Sequence, residues 1–224
     1  MYRDHFDSSV VDTREGKLTN SLTFRSPPTG SLAVVVFGAW SASVELQWAM
    51  VYHSSFKDDG QYQQACGCPL LPLRSHIKGP APAADAAAVD IIDEAINFFR
   101  ANVLFRKFEV KSSADKLLIY LTLYINMALK RIEACKTEAD GIKAIISLGL
   151  EKFPIPGEGG FPLGGLLSPP QSREEADLFR TYLKQAREET SGRLIERVYR
   201  PNGKPNKWWL AFAKRKFMNI MLPL

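Results

Sequence analysis

The sequence predicts an all-α fold: a compact bundle of about five helices in which one central helix is wrapped by the others, preceded by an extended Pro-rich arm. Three observations carry that expectation. Residues 117–132 are apolar on nearly every side, and Asp115, Lys116, Lys130 and Arg131 bracket them closely. A helix that is hydrophobic all round is buried in a protein core or in a membrane. One this short and this closely flanked by charge does not span a bilayer comfortably, so it needs protein neighbours on every side. Four further segments after residue 88 read as helices that could supply them. Ahead of them, Pro69, Pro72, Pro80 and Pro82 remove backbone donors and pin φ, which makes an extended arm rather than a helix or an inner strand.

In chain order, residues 1–49 differ in character from the rest. They carry scattered Ser, Thr and charge, with one isolated strand-like run at 31–38. They read as a largely unstructured extension, with Met50 as an alternative start. Residues 50–87 form the arm, and its Leu70, Leu71, Leu73 and Ile77 suggest that it lies on a surface of the domain. Residues 88–224 form the helical domain.

There, Ile92, Ala95, Ile96, Phe99 and Val103 recur at i, i+3, i+4, i+7 and i+11, the spacing of a helix face. A break follows around 106–111, and Ser113 is placed to cap the central helix. A shorter helix is expected over about 137–151, and then residues 153–165 are too rich in Pro and Gly for regular structure. Ser172 with Glu175 makes a capping box for the longest helix. That helix runs to about Tyr199, with Phe179, Leu183, Ala186, Leu194 and Val198 as its stripe and Gly192 as its weak point. Residues 201–205 make a turn, and Asn206 caps the last helix. No sheet is expected.

The chemical inventory excludes more than it offers. His5, His53 and His76 are the only histidines, and none stands beside a Ser or Cys in a nucleophile setting. The glycines of 153–165 neither precede Gly-Lys-Ser/Thr nor follow a strand, so they cradle no phosphate. Asp93 and Glu94 are adjacent, diverge on a helix, and read as a solvated face. Cys66, Cys68 and Cys135 are odd in number and lack disulfide-framework or zinc spacing, which favours a reduced, cytosolic chain without a metal. The apolar run 32–40 is about half the length a bilayer crossing needs. It also follows some thirty polar residues that include Asp4, Asp7, Asp12 and Glu15, unlike a signal peptide. No enzyme and no cofactor are expected.

Binding is left, and the C-terminal segment is where the sequence points. The net charge is +5, yet from Arg197 onward there are Lys and Arg and no Asp or Glu at all. Trp208, Trp209, Phe212 and Phe217 lie there among Lys207, Lys214, Arg215 and Lys216. On a continuous helix, Trp209, Leu210, Ala213, Phe217, Ile220 and Met221 share one face, while Trp208, Phe212 and Arg215 fall opposite at i, i+4 and i+7. Aromatics and Arg are enriched at protein–protein hot spots. Either one face serves the core and the other a partner, or the domain covers both. A docking face in a stable protein assembly fits best, since loops, arm and helix all carry apolar groups; nucleic acid, calmodulin and a lipid surface are the alternatives.

Several strings together resemble a known family. They are Tyr52-His53-Ser54-Ser55-Phe56, Pro69-Leu70-Leu71-Pro72-Leu73-Arg74-Ser75, Lys78-Gly79-Pro80-Ala81-Pro82, Asp93-Glu94-Ala95-Ile96, residues 114–125, Phe153-Pro154-Ile155-Pro156-Gly157-Glu158, and Lys207-Trp208-Trp209 with Phe217-Met218-Asn219. From Met50 nearly to the end, the chain resembles subunit 3 of the actin-related protein 2/3 complex, particularly its plant forms. The resemblance implies an all-helical domain with one surrounded helix. It also implies a non-enzymatic subunit of the seven-protein assembly that nucleates branched actin filaments in the cytoplasm, placed against actin-related protein 3. ATP belongs to the actin-related subunits, so no cofactor is implied here. The surface expected to meet partners comprises Trp208, Phe212, Lys214, Arg215, the loop residues Phe153, Pro156 and Phe161, and Leu73 and Arg74 of the arm.

Overall fold

Five α-helices, one two-stranded sheet and a 3-10 turn make up the regular structure among the described residues of the computed structural model, which are 51–57, 59–199 and 203–220. The expected extension 1–49 lies outside them, as do Pro201, Asn202 and Met221. In order come β1 (Gln64–Ala65), β2 (Cys68–Pro69), α1 (Ile91–Asn102), α2 (Ser113–Glu133), α3 (Glu138–Leu150), α4 (Arg173–Val198), α5 (Lys207–Leu210) and the 3-10 turn Phe217–Asn219. The described fold is mostly helical.

Helix α2 packs against α1, α3, α4 and α5. Of its 21 residues 15 are buried, as the all-round apolar pattern requires. The polar groups among them are satisfied locally or across the bundle. Thr122 Oγ1 donates to the Leu118 carbonyl, Asn126 Nδ2 to that of Phe212 (3.1 Å), and the Tyr124 hydroxyl meets Ser191 Oγ at 2.6 Å. Such bonding removes the penalty a buried polar atom otherwise carries.

Several local expectations are corrected. The cap position of α2 is Ser112, one residue earlier than expected, and its side chain makes no capping bond. Ser172 accepts from the Glu175 N–H, but the Glu175 carboxylate does not close the box. It accepts instead from the N–H groups of Gln171 and Cys66, tying the β1–β2 turn to the start of α4. Asp93 and Glu94 are not a solvated face. Glu94, only 4% exposed, accepts from the hydroxyls of Ser54 and Ser55 and from the Ser55 N–H. Asp93 pairs with Arg74 and Arg193.

The sheet was not expected. Cys66 (φ 53°) and Gly67 (φ 69°) both adopt the left-handed region, which makes a two-residue hairpin of the primed type between β1 and β2. Two-residue strands are too short to show a period of two. Beyond them, Leu70, Leu71 and Leu73 do not lie on a finished helical surface but form part of the core itself. Leu73 is bonded through its backbone to Pro82 and Ala84.

The last helix also differs. The chain is α-helical only over Lys207–Leu210 and then tightens into turns, with Phe212, Ala213 and Arg215 each donating to the carbonyl three residues back. Met218 (φ 51°) and Asn219 (φ 58°) leave helical geometry altogether. Tertiary bonds account for the departure: Asn126 holds the Phe212 carbonyl, and the Met218 N–H donates to that of Phe105. Three successive cations, Lys214 to Lys216, with no acid four residues before them in this segment, add little helix support.

Candidate partner-binding surface

The C-terminal segment is anchored by alternate side chains. Asn206 accepts from the Trp208 N–H and so orients the Trp pair at the start of α5. Trp209 turns inward, 9% exposed, and stacks on Phe99 with ring centroids 5.8 Å apart and planes 5° apart. Ala213 and Phe217 are buried after it, and Phe217 meets Phe108 edge to face. Trp208 turns outward and is 71% exposed. Lys207, Lys214, Arg215 and Lys216 are exposed on the same segment. Lys214 reaches Glu133 at 3.4 Å, an exposed pair worth at most about 1 kcal/mol, so the basic character of the patch survives it.

Phe212 does not face solvent freely as the continuous-helix projection required. It is half-buried, its ring set edge-on to Phe99 at 6.3 Å, because the chain tightens after Leu210. The other expected residues are elsewhere. Phe153 is half-buried beneath the Arg187 guanidinium, 4.2 Å from its ring centroid. Phe161 is half-buried, and Pro156 is buried. Leu73 is 2% exposed and is a core residue, which corrects its assignment to a docking arm. Arg74 is half-buried and engaged internally, donating to Asp93 at 2.7 Å and to the Ala86 carbonyl. No described contact joins Trp208 to the 153–161 loop or to Arg74. The exposed members of the expected set are therefore Trp208, Lys214 and Arg215.

The 153–161 loop is nonetheless well held. Arg180 donates to the Phe153 carbonyl and to both Glu158 oxygens, and the Ile155 N–H donates to Glu158. The Arg180 guanidinium keeps the Glu158 carboxyl below the usual carboxylate range. At the hairpin, burial and then the nearby Glu175 carboxylate push the Cys66 thiol up to about 11. No disulfide forms among the described residues, and no group of His, Cys, Asp and Glu among them is arranged to hold a metal ion. No helix among the described residues is long and apolar enough to cross a membrane.

Residues 49–222 match the family model P21-Arc, described as the ARP2/3 complex ARPC3 (21 kDa) subunit. The chain belongs to this family. It is 69% identical over 173 residues to the actin-related protein 2/3 complex subunit 3 of Arabidopsis thaliana, covering 77% of this chain and 99% of that protein. Identity is 51% over 175 residues to the Dictyostelium discoideum protein of the same name, covering 77% and 100%. It is 46% over 172 residues to the Schizosaccharomyces pombe protein, covering 76% and 98%.

Within this P21-Arc chain, residues that sequence reasoning left aside turn out to organise the fold. Asp115 is buried and accepts from His53 Nδ1 (2.8 Å) and from the N–H groups of Ser54 and Lys111. With Glu94, it holds the Tyr52–Phe56 string onto α1 and α2, which gives that string a physical reason. Arg187 was missed as well. It lies four residues after Leu183 and seven before Leu194, on the apolar stripe of α4, and a cation on such a stripe was the available signal.

Proposed function

We propose that the protein is a non-catalytic structural subunit of the actin-related protein 2/3 complex, supporting nucleation of branched actin filaments by binding actin-related protein 3. On this reading it works in the cytoplasm at the actin cytoskeleton, with the other complex subunits and the filament at the branch as its partners. Residues 50–87 and 88–224 form the shared unit, and 1–49 are an extension outside the family pattern. The observation that carries the proposal is Trp208, held outward on a turn whose next residue is locked in the core, among four exposed cations. An exposed, preoriented aromatic beside Arg is the usual composition of an interface hot spot.

The alternative, a module for nucleic acid or calmodulin, is less favoured. Helix-in-groove recognition uses a continuous amphipathic helix, and here the α-helix has four residues. The test is co-purification from cells carrying a tagged chain. Wild type is expected to bring down the sister subunits; Trp208→Ala and the pair Lys214→Glu, Arg215→Glu are expected to retain at least about tenfold less, the equivalent of one 1.4 kcal/mol step. Unchanged retention by all these variants, with their helical circular dichroism intact, defeats the surface assignment. Failure of the wild-type chain to recover any sister subunit defeats the complex itself.

A further inference from the structure

Tyr120, Leu123, Tyr124 and Met127 from α2, Leu148 from α3 and Phe153 line a cleft of about 330 Å³ that opens at the surface. Arg187 of α4 forms part of its wall and is only 3% exposed. A guanidinium carries five donors and is always charged. Here Nη2 donates to the Leu148 carbonyl at 2.7 Å, and the guanidinium carbon lies over the rings of Tyr124 (4.8 Å) and Phe153 (4.2 Å). Nε finds no acceptor among the described residues. Arg187 also forms no ion pair among the described residues. The carboxylate lining the cleft is Glu151, and both of its oxygens are taken by Arg131 at 3.1 Å.

Taking a cation out of water without a counter-charge is costly, and aromatic faces offset only part of that. Contrast Arg193 on the same helix, which pairs with three carboxylates. Arg187 stands where an acid is missing, at the wall of an open apolar cleft whose rim also carries Arg131 and Lys152. We propose that this cleft receives the carboxylate of an Asp or Glu side chain, with an apolar neighbour beside it, from a sister subunit of the complex. The carboxylate meets the Arg187 cation and the apolar residue covers Leu123 and Met127. Charge complementarity selects the acid; the aromatic and aliphatic walls select a protein segment over a small hydrated anion. The inference rests on the chain's membership of the complex but not on Trp208.

The test places the photo-cross-linking residue p-benzoylphenylalanine at Met127, half-buried in the cleft wall, in the tagged full-length chain within the purified complex. After irradiation the joined peptide is identified by mass. The expected product is one sister-subunit segment containing Asp or Glu, and its yield falls about tenfold with Arg187→Met and severalfold with the exposed Lys152→Glu, as loss of a charge-assisted bond predicts. Should Arg187→Met fail to fold, Lys152→Glu alone decides. The proposal is overturned by no cross-link, by a peptide lacking a carboxylate side chain, or by a yield that Lys152→Glu leaves unchanged. Intact co-purification without a cross-link overturns the cleft alone; absence of sister subunits overturns the membership on which it rests.

Discussion

Arg193→Met isolates what one half-buried hub contributes. The Arg193 guanidinium donates through Nη1 to Asp90 (2.7 Å) and Asp93 (2.9 Å) and through Nε to Glu189 (2.8 Å). Its Nη2 donates to Asp90 (2.8 Å) and to the Arg74 carbonyl (2.6 Å). Asp90 is buried and is also the N-cap of α1. Methionine keeps much of the apolar stem but strands the Asp90 carboxylate. Breaking a buried pair from one side costs about 3–5 kcal/mol, and the three backbone N–H groups that Asp90 still accepts place the loss near the lower end, ~3 kcal/mol. For a domain of this size that is a fall in Tm of about 6–12 °C at pH 7. Adding Asp90→Asn removes the stranded charge, so the double variant should recover about 1–2 kcal/mol relative to the sum of the singles. Burial works against ionisation of Asp90, but Arg193 and the backbone N–H groups of Asp93 and Arg74 outweigh it and hold its carboxyl below the usual range. A depressed folded value means that this stabilisation is complete above the unfolded carboxylate value, about 3.9, and is lost as pH falls through the folded one. The gap between wild type and Arg193→Met should therefore close below about pH 4. Urea unfolding followed by circular dichroism, at pH 7 and along a descending pH series, checks both points. A loss under about 1 kcal/mol at pH 7, or strictly additive singles, refutes the reasoning.

Other expected outcomes follow from individual contacts. Trp209→Ala should cost about 3–5 kcal/mol by emptying the space over Phe99, whereas Trp208→Ala should stay within about 0.5 kcal/mol; thermal melts of the two compare them directly. Gly149→Ala places a methyl 3.2 Å from Ser191 Oγ and 3.4 Å from the Glu188 backbone, where α3 crosses α4. It should destabilise by about 1–2 kcal/mol despite the better helix propensity. Gly192→Ala meets nothing within 4 Å on α4 and should stabilise by about 0.5–1 kcal/mol. A melt in which the two glycine variants shift the same way contradicts that packing. Iodoacetamide at pH 8 should label the half-buried Cys135 before the buried Cys66, whose raised thiol is almost entirely protonated there; peptide mapping after short exposure shows the order.

What could be read from the sequence is what periodicity encodes. The placement of α2 followed from its apolar circumference, and the inward turn of Trp209 against the outward turn of Trp208 followed from adjacent positions on one helical turn. What could not be read depends on partners distant in the chain. Glu94 looks solvated until Ser54 and Ser55, some forty residues earlier, are brought to it. Glu175 sits where a capping box predicts it, yet Cys66, 109 residues away, takes one of its oxygens. The break after Leu210 has only a weak local signal, the run of cations at 214–216; the bonds that hold it come from Asn126 and Phe105, distant in the chain. Of the expected site, Trp208, Lys214 and Arg215 keep an exposed position, while Leu73 and Pro156 are internal. A proline-flanked leucine in an extended segment looks the same in sequence whether it lies on a surface or fills a core.

These distant bonds bear on how the molecule could serve as a rigid part of an assembly. Three of the anchors that fasten the irregular segment before α1 to the helices are Ser54 and Ser55 to Glu94, Cys66 to Glu175, and Arg74 to Asp90 and Asp93. Each of these three joins a helix carboxylate to a backbone N–H, hydroxyl or guanidinium, so each is directional as well as favourable. Association loses free energy to every side chain and loop that must be ordered on contact. Trp208 has only two χ angles, and the backbone beneath it is fixed by the Asn206 cap and by Trp209 stacked on Phe99. Little remains to be ordered there when a partner arrives. The Arg187 cleft uses the same device differently: its cation is already buried and held by two rings and a carbonyl, so on the proposed reading only the acid's own desolvation is left for docking. Both surfaces thus place their cost in the folding of the chain rather than in docking. On the proposed reading, that arrangement suits a subunit meant to stay bound.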